Sequence, residues 1–293
     1  MSNSRLFCFG LGYTAQALAR RLAAKGWVIS GTSRSESDRP ALSCLGTRAW
    51  LFERERPLAD FSAALAGRTH ILSSVPPNGL GDPVLAVHGR DIAGLRGLEW
   101  VGYLSTTGVY GDRGGAWVSE TDEPRPTGER GKRRLAAEAG WLHLWRDLEL
   151  PVHIFRLAGI YGPGRSAFDS LRAGRAQRID KPGQVFGRIH VDDIAQTLEA
   201  SMARPRPGAV YNLSDDDPAP PGDVIAYAAE LLGRAPPPLI PFEEAGLGEM
   251  ARSFYAENKR VRNELIKQEL GVRLAYPDYR AGLAAILKHE RAR

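Results

Sequence analysis

Cysteine is nearly absent from this chain, with two residues, Cys8 and Cys44, among 293. Two thiols make no disulfide framework, and Cys8, set inside an apolar run, reads as a small buried core residue. Long hydrophobic runs are missing too: every apolar stretch breaks well short of the ~20 residues a membrane span needs. Leu6 to Phe9, behind a polar Met1 to Ser4, is too short for the apolar part of a secretion signal and reads as a strand. No membrane partner is expected, and the cytoplasm is the expected compartment. There is no concentrated basic tract either. The net charge of +5 rests on arginines scattered along the chain, without the interleaved aromatics or the module of a nucleic-acid binder, so no nucleic-acid partner is expected. An anionic small-molecule ligand accounts for the same surplus. No metal site, internal repeat or low-complexity tract is expected. What remains, 43% hydrophobic and 25% charged residues, is the composition of an ordinary globular protein.

Short apolar runs alternate with helical patterns through the first half. Leu6–Phe9, Trp27–Ser30, Ala49–Phe52, His70–Ser73, Trp100–Leu104 and Val152–Leu157 read as strands, and Ala209–Leu213 as a late return to the same sheet. Helices are expected at Ala15–Ala24, around Val84–Leu95 and at Arg134–Leu148, with a turn at Pro76–Gly79 and a mobile, turn-rich loop from Gly111 to Gly131. Strand, helix, strand in regular order gives right-handed crossovers and a parallel sheet covered on both faces. The expected fold class is α/β: a Rossmann doubly wound sheet over residues 1–160, also receiving part of 189–215, with a smaller, mostly helical substrate lobe over 161–293.

Phe9-Gly10-Leu11-Gly12-Tyr13-Thr14-Ala15 joins the first strand to the first helix. Gly10 permits the tight turn, Gly12 lets the backbone approach a pyrophosphate, and Ala15 allows close packing of helix on strand. The amides of Gly12, Tyr13, Thr14 and Ala15 at the helix start suit phosphate. The second strand runs into Gly31-Thr32-Ser33-Arg34-Ser35, with no carboxylate before Glu36. Ser33, Arg34 and Ser35 thus stand where a ribose 2′-phosphate would lie, and NADP is expected in preference to NAD.

Five stretches, in order along nearly the whole chain, resemble the extended short-chain dehydrogenase/reductase family, the NAD-dependent epimerase/dehydratase group. They are the glycine turn, Leu104-Ser105-Thr106-Thr107-Gly108-Val109-Tyr110-Gly111, Phe155 to Gly164, Ile189-His190-Val191-Asp192-Asp193-Ile194-Ala195, and Tyr211 to Asp216. The resemblance implies a Rossmann domain carrying the cofactor and a lobe closing over substrate. It implies a Ser or Thr after the fifth strand, here Thr106 with Ser105 beside it, and a Tyr-x-x-x-Lys pair on the following helix. It also implies a homodimer through the helices near Pro83–Arg96 and Arg134–Leu148, and a groove lined by Pro76, Asn78, Leu157, Ala158 and Tyr161. The Tyr-x-x-x-Lys pair is where this sequence departs: aligned on Leu135-Ala136-Ala137-Glu138, the positions hold Arg130 and Arg134. Arginine can replace lysine as a ribose clamp but not tyrosine as acid/base, because it does not exchange a proton near neutrality.

Substitutes for the missing proton carrier are Tyr110 and the loop carboxylates Asp112, Glu120, Asp122 and Glu123. Tyr110 also reads as a packing residue of its turn, and the carboxylates as solvated loop charges. His143 reads as a packed or surface histidine, and His190 as a brace between the lobes. Arg165, Arg172, Arg175, Arg178, Lys181 and Arg188 crowd the start of the lobe, and Arg165 and Arg188 are the expected substrate contacts. Two functions stay open. One is an NADP-dependent oxidoreductase or epimerase for a small anionic, sugar-like or hydroxy/keto compound. The other is an NADP-binding sensor or interaction protein that does not turn over.

Overall fold

A computed structural model describes residues 4–38 and 47–292, which leaves Cys44 outside the described residues. The first half alternates as its apolar periodicity requires: β1 (Arg5–Phe9), α1 (Tyr13–Ala23), β2 (Val28–Ser33), β3 (Arg48–Leu51), α2 (Phe61–Leu65), β4 (His70–Ser73), α3 (Pro83–Gly94), β5 (Trp100–Thr106), β6 (Trp117–Val118), α4 (Glu129–Leu148) and β7 (Val152–Leu157). The second half carries β8 (Gly159–Tyr161), α5 (Ala167–Arg172), β9 (Arg178–Asp180), β10 (Arg188–His190), α6 (Val191–Ala203), β11 (Val210–Leu213), α7 (Pro221–Leu231), β12 (Leu239–Pro241), α8 (Glu249–Tyr255), β13 (Arg260–Val261), α9 (Glu264–Leu270) and α10 (Tyr279–Arg291).

Seven strands form one parallel sheet in the order β11-β7-β5-β4-β1-β2-β3. Successive side chains of a strand face opposite ways, and both faces here are buried. Leu6 and Cys8 join the core under α1 and α6, with Leu18, Leu22, Ile194 and Leu198. Phe7 and Phe9 join the core under α3 and α4, with Val84, Ile92, Trp141 and Leu144. Strand order reverses between β1 and β4, and the crevice beyond their C-terminal ends is where doubly wound sheets take ligands.

The lobe has its own core of Tyr161, Phe168, Val224, Tyr279, Leu283 and Ile286. It is less helical than the sequence suggests, because β8 pairs with β10 and β9 with β12, both parallel. Those strands are three residues long, too short for periodicity to reveal. The loop from Gly111 to Gly128 also differs from expectation. It is tied down: β6 pairs with β13, Asn258 N donates to Asp112 Oδ1 at 2.7 Å, and Lys259 Nζ to the Gly111 carbonyl at 2.9 Å. α4 begins at Glu129, five residues before the expected Arg134. Among the described residues no helix is long and apolar enough to cross a membrane, and no cluster of His, Cys, Asp and Glu could hold a metal.

Candidate active site

The glycine turn is built as its sequence demands. Gly10 has φ +84°, the left-handed region, and a Cβ there would press to 2.8 Å on the Ser74 hydroxyl. Thr32 straps the turn to β2, accepting Gly10 N on its hydroxyl at 2.8 Å and Leu11 N on its carbonyl at 2.7 Å. The first helical bond of α1 runs from Gln16 N to the Gly12 carbonyl at 2.9 Å. Upstream of it, the amides of Gly12, Tyr13, Thr14 and Ala15 donate to nothing among the described residues, and no side chain caps them. A Cβ on Gly12 would have nothing within 4 Å. This cradle of bare amides at a helix start, on the switch point, fits a dinucleotide diphosphate. Ser74 and Val75 wall its far side, and Pro76, next along, is exposed beside them.

At the end of β2, Arg34 and Ser35 are exposed, and the Ser33 hydroxyl bonds to Asp38. Arg56, which the sequence reading missed, sets its Nη2 on the Arg34 carbonyl at 2.6 Å, with Glu53 at 3.3 Å. Two guanidinium-bearing residues thus meet at the end of β2. The signal was the Glu53-Arg54-Glu55-Arg56 run after the third strand, which cannot be placed without knowing how the chain folds back.

Beyond β5 the expected residues separate. Thr106 is half-buried, and its hydroxyl accepts Gly108 N at 3.1 Å, so its own proton is available to a substrate oxygen. Arg134 Nη1 donates to the Leu104 carbonyl at 2.6 Å and to the Tyr103 hydroxyl at 3.3 Å, fixing the guanidinium against the end of β5. Arg130 is exposed, its guanidinium 5.2 Å from the Phe254 ring centre on α8, so it spans from α4 to the lobe.

Three expectations need correction. Tyr110 is fully buried, donates to Asn212 Oδ1 at 2.7 Å and accepts from Arg156 Nη1 at 3.0 Å, and burial raises its pKa despite Arg156. It is a packing residue. Ser105, expected at the cofactor, is buried and bonds to Glu138, which holds Arg156 through Nη2 at 2.8 Å. Tyr110, Arg156, Glu138 and Ser105 thus bond to one another in the interior, while the Asn212 Nδ2 beside them is buried without a partner among the described residues. Tyr161, also expected at the cofactor, turns into the lobe and donates to the Asp278 carbonyl at 3.2 Å. Leu157, also expected at the cofactor, lies buried in the core. The loop carboxylates are anchored: Glu120 accepts Asn212 N at 2.8 Å, Asp122 accepts Ser119 N at 2.8 Å, and Glu123 pairs with Arg125. His143 is exposed and pairs with Asp147. His190 is buried and accepts Asp192 N at the start of α6.

The lobe holds a cavity of about 340 Å³. Arg165, Arg175 and Arg188 line it, with Tyr161, Val224, Tyr279 and Leu283. Both expected substrate arginines are there. Others of the basic cluster have structural partners: Arg172 pairs with Glu290, Arg178 donates to the Gly222 carbonyl, and Lys181 to that of Tyr255. The cavity wall touches the glycine turn: Tyr13 donates to the Pro163 carbonyl at 3.0 Å, and Arg165 lies 5.8 Å from the Tyr13 ring centre.

No protein-family model matches the chain. It is similar to Protein YeeZ of Escherichia coli (strain K12), 30% identical over 282 residues that cover 92% of this chain and 95% of that protein. Among solved structures it is similar to a conserved protein of unknown function from Silicibacter pomeroyi DSS, with 55% identity, a TM-score of 0.90 and coverage of 98% and 99%. It is also similar to a protein from Methylobacillus flagellatus assigned as an NAD-dependent epimerase/dehydratase, with 25% identity, a TM-score of 0.70 and coverage of 99% and 100%.

Proposed function

Because the chain belongs to the extended short-chain dehydrogenase/reductase family, the NAD-dependent epimerase/dehydratase group, we propose that it is an NADP-dependent oxidoreductase or epimerase-like enzyme acting on a small anionic sugar-like or hydroxy/keto compound. The observation that carries this reading is the row of unpartnered amides from Gly12 to Ala15 at the switch point of the sheet.

The nicotinamide dinucleotide, when bound, supplies the redox chemistry, and the chain supplies binding, orientation and electrostatics. Gly12, Tyr13, Thr14 and Ala15 would hold the diphosphate by their amides. Arg34 and Arg56 support NADP over NAD, although the Methylobacillus relative is assigned as NAD-dependent. Arg134 would hold ribose hydroxyls with the N–H groups not used by the Leu104 carbonyl and the Tyr103 hydroxyl. Thr106 keeps its hydroxyl proton for a substrate oxygen. Arg165, Arg175 and Arg188 give the lobe cavity the sign that an anionic substrate needs. Because Arg130 stands at the tyrosine position, the proton that would accompany the cofactor's redox chemistry would have to be carried by water rather than by a tyrosine there.

That same exchange of Arg130 for tyrosine favours a second reading, an NADP-binding sensor without turnover. Hydride exchange separates the two. The protein is incubated with NADPH deuterated at C4 and a panel of keto acids and keto sugars, and label is followed in the products. Label in any product is expected for the enzyme, whereas tight NADPH binding with no label anywhere leaves the sensor.

A further inference from the structure

The lobe cavity contains a cation without a counter-ion. Arg188 enters it from β10, and Nη1 donates to the carbonyls of Phe186 at 2.8 Å and Ala219 at 3.1 Å. Those bonds fix the plane of the guanidinium. The edge made by Nε and Nη2 has no acceptor among the described residues, and no carboxylate there forms an ion pair with Arg188. Burial works against its charge, lowering its pKa although Asp215 pulls the other way. Asp215 does not answer the charge: its Oδ1 accepts the Arg188 amide at 3.4 Å, while Oδ2 is buried without a partner. Burial pushes the Asp215 pKa up to about 8, leaving the carboxyl largely protonated at neutral pH. Asp169, the acidic side chain in the lining, is engaged by the amide and hydroxyl of Ser166 at 2.7 and 2.8 Å. A desolvated guanidinium is costly when unpaired, so the counter-charge belongs to whatever fills the cavity.

The geometry points to a small ring-bearing carboxylic acid as the ligand of this cavity, its carboxylate held side-on by the free edge of Arg188. This rests on the reading of the cavity as the substrate site. The Nε and Nη2 edge of one guanidinium matches the two oxygens of one carboxylate. Val224, Leu283 and the ring of Tyr279 form an apolar wall for the ligand's body. The Tyr279 hydroxyl has no hydrogen-bond partner among the described residues and can reach a ring substituent. Arg165 and Arg175, both exposed, draw the anion to the mouth. A volume of about 340 Å³ is near the lower end of the ~300–1,000 Å³ of ligand pockets, which suits a single ring better than a nucleotide-linked sugar.

Calorimetry on the whole chain tests this, with and without NADPH. The probes are benzoate, cyclohexanecarboxylate and glucuronate, each against its primary amide, together with inorganic phosphate and UDP. At least one acid is expected to bind at least tenfold tighter than its amide. Arg188→Lys keeps the charge but loses the fork, and should cost that acid tenfold or more while NADPH affinity and melting temperature hold. Should Arg188→Lys fold poorly, Ala167→Phe obstructs the cavity from its rim and should abolish acid binding with NADPH affinity intact. Equal affinity for acid and amide, no binding of any of the acids, or tighter binding of phosphate or UDP than of every acid would overturn the proposal. A protein that takes the acid but no NADPH would instead overturn the proposed function, since the acid-to-amide ratio is read without cofactor.

Discussion

In the proposed function, Arg34 and Arg56 carry the preference for NADP over NAD. Arg56 is pinned to the backbone of Arg34, which keeps its positive charge at the end of β2. Hydrogen bonds to a charged group contribute about 1.5–3 kcal/mol, so Arg34→Ala and Arg56→Ala should each lower the preference for NADPH over NADH by roughly tenfold or more. NADH affinity should change little, because the amide cradle is untouched. Titration by quenching of protein fluorescence reads both. A wild-type protein that binds the two nucleotides equally would remove the role given to both arginines. At this scale the sequence was legible where chemistry is carried by backbone. Gly10 could be recognised because its φ of +84° and the nearby Ser74 hydroxyl call for glycine, and Gly12 because a bare backbone there leaves open space over the amides of the helix start. Tyr110, Ser105 and Tyr161 were misplaced because the choice between groove and interior depends on partners 33 to 117 residues away, namely Glu138, Asn212 and Asp278.

Two strands of the sheet carry histidines that the fold keeps neutral. His153 on β7 accepts Arg206 N on Nε2 at 2.9 Å, leaving Nδ1–H to face the Val101 carbonyl at 3.4 Å. Burial pushes His153 and His70 on β4 down to about 4. The unfolded chain takes up these protons near pH 6.5. The native state therefore binds fewer protons between about pH 6.5 and 4, and the stability held in full above pH 6.5 is lost as pH falls through that window. Asp215, raised to about 8, works in the opposite direction, since a native carboxyl that keeps its proton loses stability as pH rises from about 4 to 8. The His153 contribution is best read as a difference. His153→Gln, whose amide oxygen can accept Arg206 N, should cost more at pH 7.5 than at pH 4.5, by roughly 2–3 kcal/mol. Urea unfolding at the two values measures it, and a penalty independent of pH would show that His153 is not held neutral. The sheet strands themselves were legible from apolar runs of four to seven residues. The pairing of β6 with β13 was not, because two-residue strands 143 residues apart leave no local pattern.

For the whole molecule, the main consequence is that cofactor seat and lobe cavity share parts. Tyr13 offers its amide to the cradle at the start of α1, while its hydroxyl holds the Pro163 carbonyl and its ring lies under Arg165, a cavity residue. Asp193 fastens the same region from behind, accepting the amides of Ala275 at 2.7 Å and Tyr276 at 3.0 Å just before α10. A diphosphate settling on the Tyr13 amide would restrict α1 and, through the hydroxyl and ring, the segment from Tyr161 to Arg165 that borders the cavity. Binding at the two places should then be coupled, and linkage requires the factor to be the same in both directions. NADPH is expected to tighten a cavity acid by roughly 5-fold or more, within the ~1–3 kcal/mol of ordinary couplings. Tyr13→Ala removes hydroxyl and ring but keeps the amide, so it should leave NADPH affinity within about threefold while bringing the coupling toward unity. A thermodynamic cycle of four calorimetric titrations measures both. If wild-type and Tyr13→Ala protein give the same factor, the contact from Tyr13 to Pro163 and Arg165 holds the lobe in place without transmitting anything between the two ligands.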